Sequence, residues 1–228
     1  MGKRDIIFHV SQQRVCLLFW LLVFFHGVQP AFSHPHAWID LRTEIRFNES
    51  GKATALSQIW LLDPAYSSFA TVGLDKDRDG KPDWAALDAL LQENMSNLKK
   101  YDYFTQIFYG SKLVKFGEIV QMSSRMQGGR LEMRFVVPFK EPIKVSDKRK
   151  LSYLIFDPTY YIEIVHEKKN KSVSLVRAPA GCTSEVKEPN PDAGTVMLAA
   201  SLDKTQSGGL GLGKFFAETV NIECPTQS

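Results

Sequence analysis

The stretch His34-Pro35-His36-Ala37-Trp38-Ile39-Asp40, continuing as LRTEIRFNESGKATALSQIW to Trp60, decides how the rest of the chain is read. Residues 38–47 have the alternation of a strand, and residues 53–60 read as its partner. Asn48-Glu49-Ser50-Gly51 between them has the composition of a hairpin turn. Strand geometry sends successive side chains to opposite faces. His34, His36, Trp38 and Asp40 then share one face, and Pro35, Ala37, Ile39 and Leu41 the other.

Outward from this hairpin the pattern stays largely β. Strands are predicted over residues 104–109, 113–116, 120–126, 131–139, 150–156, 160–166, 173–176, 184–186 and 220–224. Glycine pairs and Gly-Ser dipeptides mark several of the turns. Helical spacing occurs at residues 66–72. It is clearest at 84–101, where Leu87, Leu90, Leu91, Met95, Leu98 and Tyr101 form one apolar stripe. Residues 190–213 lack pattern and are rich in Gly, Ser and Asp, which predicts a flexible loop; residues 214–219 read as a helical turn leading into the last strand. The expected fold is mainly β (α+β), a sandwich-like domain with a helical insertion at 63–102. Two strand exits echo each other, Asp63-Pro64-Ala65-Tyr66 and Asp157-Pro158-Thr159-Tyr160. They read as similar exits, or alternatively as two related β-units facing each other.

Ahead of the hairpin, residues 1–33 have the parts of a cleaved secretory signal: Lys3, Arg4 and Arg14, an apolar run at 15–28, and the small-x-small site Ala31-Phe32-Ser33. The run is shorter than the ~20 residues a membrane span needs. Cleavage before His34 predicts an exported, periplasmic protein of one domain over 34–228, with no stable membrane insertion after processing. The formal charge of the whole chain is +3. Removing the leader, with three basic residues and Asp5, leaves +1. No basic stripe accompanies any predicted element, so no nucleic-acid partner is implied. Of three cysteines, Cys16 leaves with the leader. Cys182 and Cys224 remain as an even pair in an oxidising compartment, which favours a disulfide; two thiolate metal ligands are the alternative.

Two stretches carry chemistry. Asp75-Lys76-Asp77-Arg78-Asp79-Gly80-Lys81-Pro82-Asp83 has the spacing of an EF-hand-like calcium loop. Oxygens fall at positions 1, 3 and 5, Gly at 6, a carbonyl (Lys81) at 7 and Asp83 at 9, with a helix following. Position 12 is Ala86 where a bidentate Glu belongs, so any calcium site is weak. The bland reading is a solvated acidic turn with Asp83 capping the helix. The second stretch is His34-Pro35-His36. Imidazoles on alternate strand positions can converge on zinc, copper or nickel. Pro35 has no N–H, which blocks a planar site built on deprotonated amides. A brace of the His34 amine, its ring and His36 remains, as does a tetrahedral zinc site. His166, the other histidine after the leader, Asp40 and Asp63 are candidate further ligands. The bland reading is a solvated terminus.

The quoted residues, with Lys100-Tyr101-Asp102-Tyr103-Phe104, Phe156-Asp157-Pro158-Thr159-Tyr160 and Pro179-Ala180-Gly181-Cys182, resemble an uncharacterised bacterial family opening HPHxW[IV]D behind its signal. That family is a domain of unknown function, described as the periplasmic component of an uncharacterised ABC-type transport system. The resemblance covers nearly all of the mature chain. It implies a nickel, cobalt or zinc permease as partner and carries no activity with it. Many members keep an acid where this chain has Ala86. No Ser-His-Asp arrangement is readable. The leading expectation is a non-enzymatic metal-binding accessory that supports divalent transition-metal transport by a membrane permease. A copper enzyme using the terminal brace, and a structural or interaction module with incidental histidines, stay open beside it.

Overall fold

A strand whose alternate residues are apolar buries one face and leaves the other wet. β1 (Ala37–Phe47) does this along its whole length: Ala37, Ile39, Leu41, Thr43, Ile45 and Phe47 are buried while the intervening residues are not. The computed structural model describes residues 35–119, 121–168, 171–202, 209 and 211–226, and these belong to one compact unit. β1 turns at Asn48, whose side chain accepts from the Lys52 N–H and the Ser50 hydroxyl. It then pairs antiparallel with β2 (Ala53–Leu62).

Asp63 ends β2 and caps α1 (Pro64–Ala70), its carboxylate accepting the Tyr66 N–H at 2.9 Å. The acidic loop follows, and then α2 (Trp84–Lys99), which buries Leu87, Leu91 and Met95. The predicted stripe is therefore the inward face, though the helix stops before Tyr101. It stops because Asp102, Tyr103 and Phe104 take left-handed backbone, with φ of 52°, 53° and 57°. β3 (Thr105–Tyr109), β4 (Lys112–Leu113), β5 (Met122–Gln127), β6 (Arg130–Ile143), β7 (Leu151–Ile155), β8 (Ile162–His166), β9 (Val173–Val176) and β10 (Thr183–Lys187) come next. α3 (Ala193–Ser201) and β11 (Thr219–Glu223) complete the chain.

The strands form two sheets, so the fold is mainly β of the α+β class, with three α-helices among the described residues. One sheet runs β5-β6-β2-β1-β8, with β9 also on β1; the other runs β10-β11-β7-β3-β4. β1 meets β8 and β9 in parallel along one edge, and the other pairings are antiparallel. Their inner faces share a single core in which Tyr153, Phe135, Leu41, Ile45 and Ile107 are fully enclosed. Each such side chain contributes roughly 1.5–3 kcal/mol by leaving water. α2 lies on β5, where the Ser124 hydroxyl donates to the Leu87 carbonyl.

The reading of 190–213 as a flexible loop changes in its described parts. Asp192 caps α3 by accepting the Thr195 N–H. Leu212–Phe216 forms a 3-10 turn packed on the second Asp-Pro exit. Gly211 and Gly213 both donate to the Pro158 carbonyl, and the Phe216 ring stacks on Tyr160 at 4.1 Å. A Cβ on Gly213 would sit 1.8 Å from the Asp157 carbonyl oxygen. Its glycine is there for close approach of two backbones.

Candidate functional site

The two Asp-Pro exits belong to opposite sheets, β2 to one and β7 to the other, and both meet the start of β1. Trp38 donates its N–H to Asp63 Oδ2 at 3.1 Å, and Asp63 donates its own to the Trp38 carbonyl at 2.8 Å. His36 donates its backbone N–H to the Tyr161 carbonyl at 2.8 Å, and its ring lies 4.7 Å from the Tyr161 ring. Asp157 is buried beneath. Its carboxylate accepts the N–H groups of Thr159, Tyr161 and Ile162 and the Thr159 hydroxyl. Burial, then the nearby Tyr161, Asp63 and Asp157, push the Tyr66 phenol above its usual value. His36, Tyr66, Asp63, Asp157 and Tyr161 are thereby gathered at one end of the molecule. His34 and the apolar run at 15–28 lie outside the described residues. No helix among the described residues is long and apolar enough to cross a membrane.

Asp40 and His166 do not join this group. Asp40 lies on the outer face and is ion-paired with Arg130 at 2.7 Å; Arg130 also donates to the carbonyls of Leu61 and Leu62. His166 pairs in register with buried Leu41 and is itself buried in the core. Glu218 Oε2 accepts its backbone N–H and holds its ring Nδ1, each at 2.7 Å. Its Nε2 lies 3.3 Å from Thr43 Oγ1, which is 2.6 Å from the Tyr153 hydroxyl. Burial pushes the Tyr153 phenol up, the Thr43 hydrogen bond lowers it and the Glu218 charge adds to the rise. With both ring nitrogens engaged, His166 ties β8 to β7 across the core. That satisfies a buried polar group and offers no lone pair to an ion.

The acidic loop gathers its carboxylates. Oxygens of Asp75, Asp77 and Asp79 lie within 4.8 Å of one another, which no other group of three His, Cys, Asp or Glu side chains does among the described residues. Asp75 accepts the N–H groups of Asp79 and Gly80, Asp77 that of Asp79, and Asp79 that of Lys81. Gly80 has φ 88°, the left-handed bend that position 6 of such a loop requires. Asp83 differs from the capping expectation: its side chain makes no cap hydrogen bond and accepts the Lys76 N–H instead, closing the loop on itself. Cys182 and Cys224 are bonded, beside the Thr183–Glu223 pair that starts the β10–β11 ladder.

Buried charges were missed in the sequence, Glu218 and Glu132 among them. Glu132 is 0% exposed on the outer face of its sheet, covered by Arg42, Arg125 and Arg134 at 3.3, 2.7 and 2.7 Å. Burial works to raise its carboxyl, but the hydrogen bonds and charges of Arg134 and Arg125 outweigh that and hold it below the usual value. The signal was legible as Arg130-x-Glu132-x-Arg134, three charges on one face of a single strand.

The profile of a protein family of unknown function, DUF1007, matches residues 17–224. The chain belongs to this family. It is 30% identical over 195 residues to an uncharacterized protein of Haemophilus influenzae, covering 84% of this chain and 91% of that one. An uncharacterized 15.5 kDa protein from the trpE 3' region of Spirochaeta aurantia is 29% identical over 94 residues, 41% of this chain and 66% of its own length. The DUF1007 match spans both Asp-Pro exits, the acidic loop and the bonded cysteines.

Proposed function

We propose that this DUF1007 protein is an exported divalent-cation-binding accessory, acting in the periplasm beside a membrane metal permease as its partner. The observation that carries the reading is the convergence of Asp75, Asp77 and Asp79 oxygens within 4.8 Å at a loop bent by Gly80. Three carboxylates with the Lys81 carbonyl and Asp83 fall short of the 6–8 oxygens calcium prefers, so affinity sits near ~10⁻⁴–10⁻³ M. The transition-metal site of this reading pairs His34 with His36, whose ring lies against that of Tyr161. Zinc, copper or nickel are the ions that such imidazoles take. Asp40 and His166 are left out of the ligand set, because Arg130 occupies the first and the core encloses the second.

Titration calorimetry tests both halves. Calcium binds the native protein weakly, and Asp77→Asn lowers that affinity further; equal heats from the two proteins contradict the loop site. Zinc and copper bind the correctly processed terminus, and His36→Ala weakens both. An extra residue before His34 weakens copper sharply if the terminal amine is a ligand, and leaves a two-imidazole zinc site intact. Equal affinity for all three termini reduces His34-Pro35-His36 to a structural role.

A further inference from the structure

Where α2, the inner face of the β1–β2 sheet and the turn before β3 meet, the surface opens into a pocket of about 140 Å³. Its floor is Ile39, Trp60, Leu62 and Met133, all buried. Phe104 forms a wall, and its ring is stacked 6.1 Å from that of Trp60. Tyr66, Asn94 and Asn97, which retain contact with solvent, bring polar groups to the lining. None of the lining residues carries a charge.

The wall is held open by strained backbone. Asp102, Tyr103 and Phe104 are three successive non-glycine residues in the left-handed region, and such strain persists only where its surroundings over-determine it. Here they do. The Phe156 N–H donates to the Phe104 carbonyl at 2.9 Å, and the Thr105 hydroxyl donates to the Tyr103 carbonyl at 2.8 Å. Gln58 donates to Thr105 Oγ1 at 2.8 Å and accepts the Trp60 indole N–H at 2.9 Å. Wall and floor are thus locked through one buried hydrogen-bonded chain. Neither Trp60 nor the turn that carries Phe104 can swing into the pocket without breaking it.

We propose that this cavity is a binding site for a small neutral amphiphile, a benzene-sized apolar group bearing a hydrogen-bonding head. The size follows from the volume, close to the ~150 Å³ that holds benzene, with the solvent side left for the head. Neutrality follows from the lining, because a charge moved there would lose part of its water and touch no charged side chain. The head is served by the Asn94 and Asn97 amides and the Tyr66 phenol, and the apolar group regains contacts that an unfilled floor lacks. The site shares Tyr66 with the group around His36 but does not depend on the cation-binding reading.

The test uses the exported protein carrying Trp38→Phe and Trp84→Phe, exposed positions away from the cavity. Trp60 is then the one tryptophan after the leader. Benzyl alcohol should change Trp60 fluorescence saturably, in the low-millimolar range for so few atoms. Benzoate and benzylamine, of matching size but charged, should bind about tenfold or more weaker. Leu98→Phe, which fills the lining, should weaken benzyl alcohol by a similar factor, and Asn94→Ala should weaken it several-fold. No saturable change at Trp60, or equal affinity in Leu98→Phe and its parent, overturns the site. Equal affinity for the three probes overturns the ligand class. Should Leu98→Phe fail to fold, Leu98→Ala enlarges the cavity and should favour a naphthyl over a phenyl alcohol; unchanged preference then counts against the proposal.

Discussion

Glu132 shows how a carboxylate on the outer face of a sheet comes to be fully buried: the guanidiniums of Arg42, Arg125 and Arg134 roof it over. Removing its charge leaves those cations facing one another. Glu132→Gln should lower stability by about 2–3 kcal/mol, less than a fully enclosed pair because the guanidiniums keep contact with water; urea denaturation at neutral pH reads it. The folded carboxyl is held below its unfolded value of ~4.3. Its contribution is therefore complete above that value and is lost as pH falls through the lower, folded one. The variant should lose that part of the acid limb of the stability profile and otherwise track the parent. At the same scale, the left-handed turn stores strain of roughly 1–2 kcal/mol per non-glycine residue. Asp102 is exposed and its φ is 52°. Asp102→Gly should raise unfolding free energy by about 0.5–1 kcal/mol after the unfolded chain's gain in freedom is subtracted. A loss of stability would mean that the Asp102 side chain, and not the strain, governs the turn.

Elements differ in how plainly the chain announces them. The first hairpin and α2 were legible because one face is buried and the alternation or the stripe runs uninterrupted through Ile39, Leu41 and Ile45, or Leu87, Leu91 and Met95. α3 was not. Its sequence AGTVMLAAS is apolar all round, only Ala199 is buried, and no periodicity separates inside from outside. Residues 211–213 looked flexible because close backbone packing leaves no side-chain pattern. Gly213 against Asp157 is the case in point. Gly213→Ala should therefore cost about 2–4 kcal/mol, or push the 212–216 turn off the Asp-Pro exit, since the clash is with backbone that cannot swing away. Thermal unfolding measures the first and loss of the Phe216–Tyr160 stacking signal in NMR the second. An Ala variant as stable as its parent would show that the turn is not tied to Asp157.

At the scale of the molecule, local pattern named most strands but not their partition into sheets. Nothing near β1 says that β8 and β9 will join it in parallel from more than a hundred residues away. The same limit applies to the sites. The acidic loop was legible because its carboxylates are neighbours in sequence and the spacing itself is the geometry. The place of His166 was not, because a lone histidine on a strand reads the same whether it faces water or, as here, Glu218 and Thr43 in the core. Nor did the sequence say that both Asp-Pro exits would flank His36; that depends on β2 and β7 ending together in facing sheets. We propose that His34 with His36, and the acidic loop, bind divalent cations. Elemental analysis of the exported, untagged protein, dialysed in turn against zinc, copper, nickel and calcium, tests it most directly. About one transition-metal ion should be retained per chain, and calcium acquired only near millimolar concentration. Metal contents no higher than those of a variant carrying both His36→Ala and Asp77→Asn would contradict it.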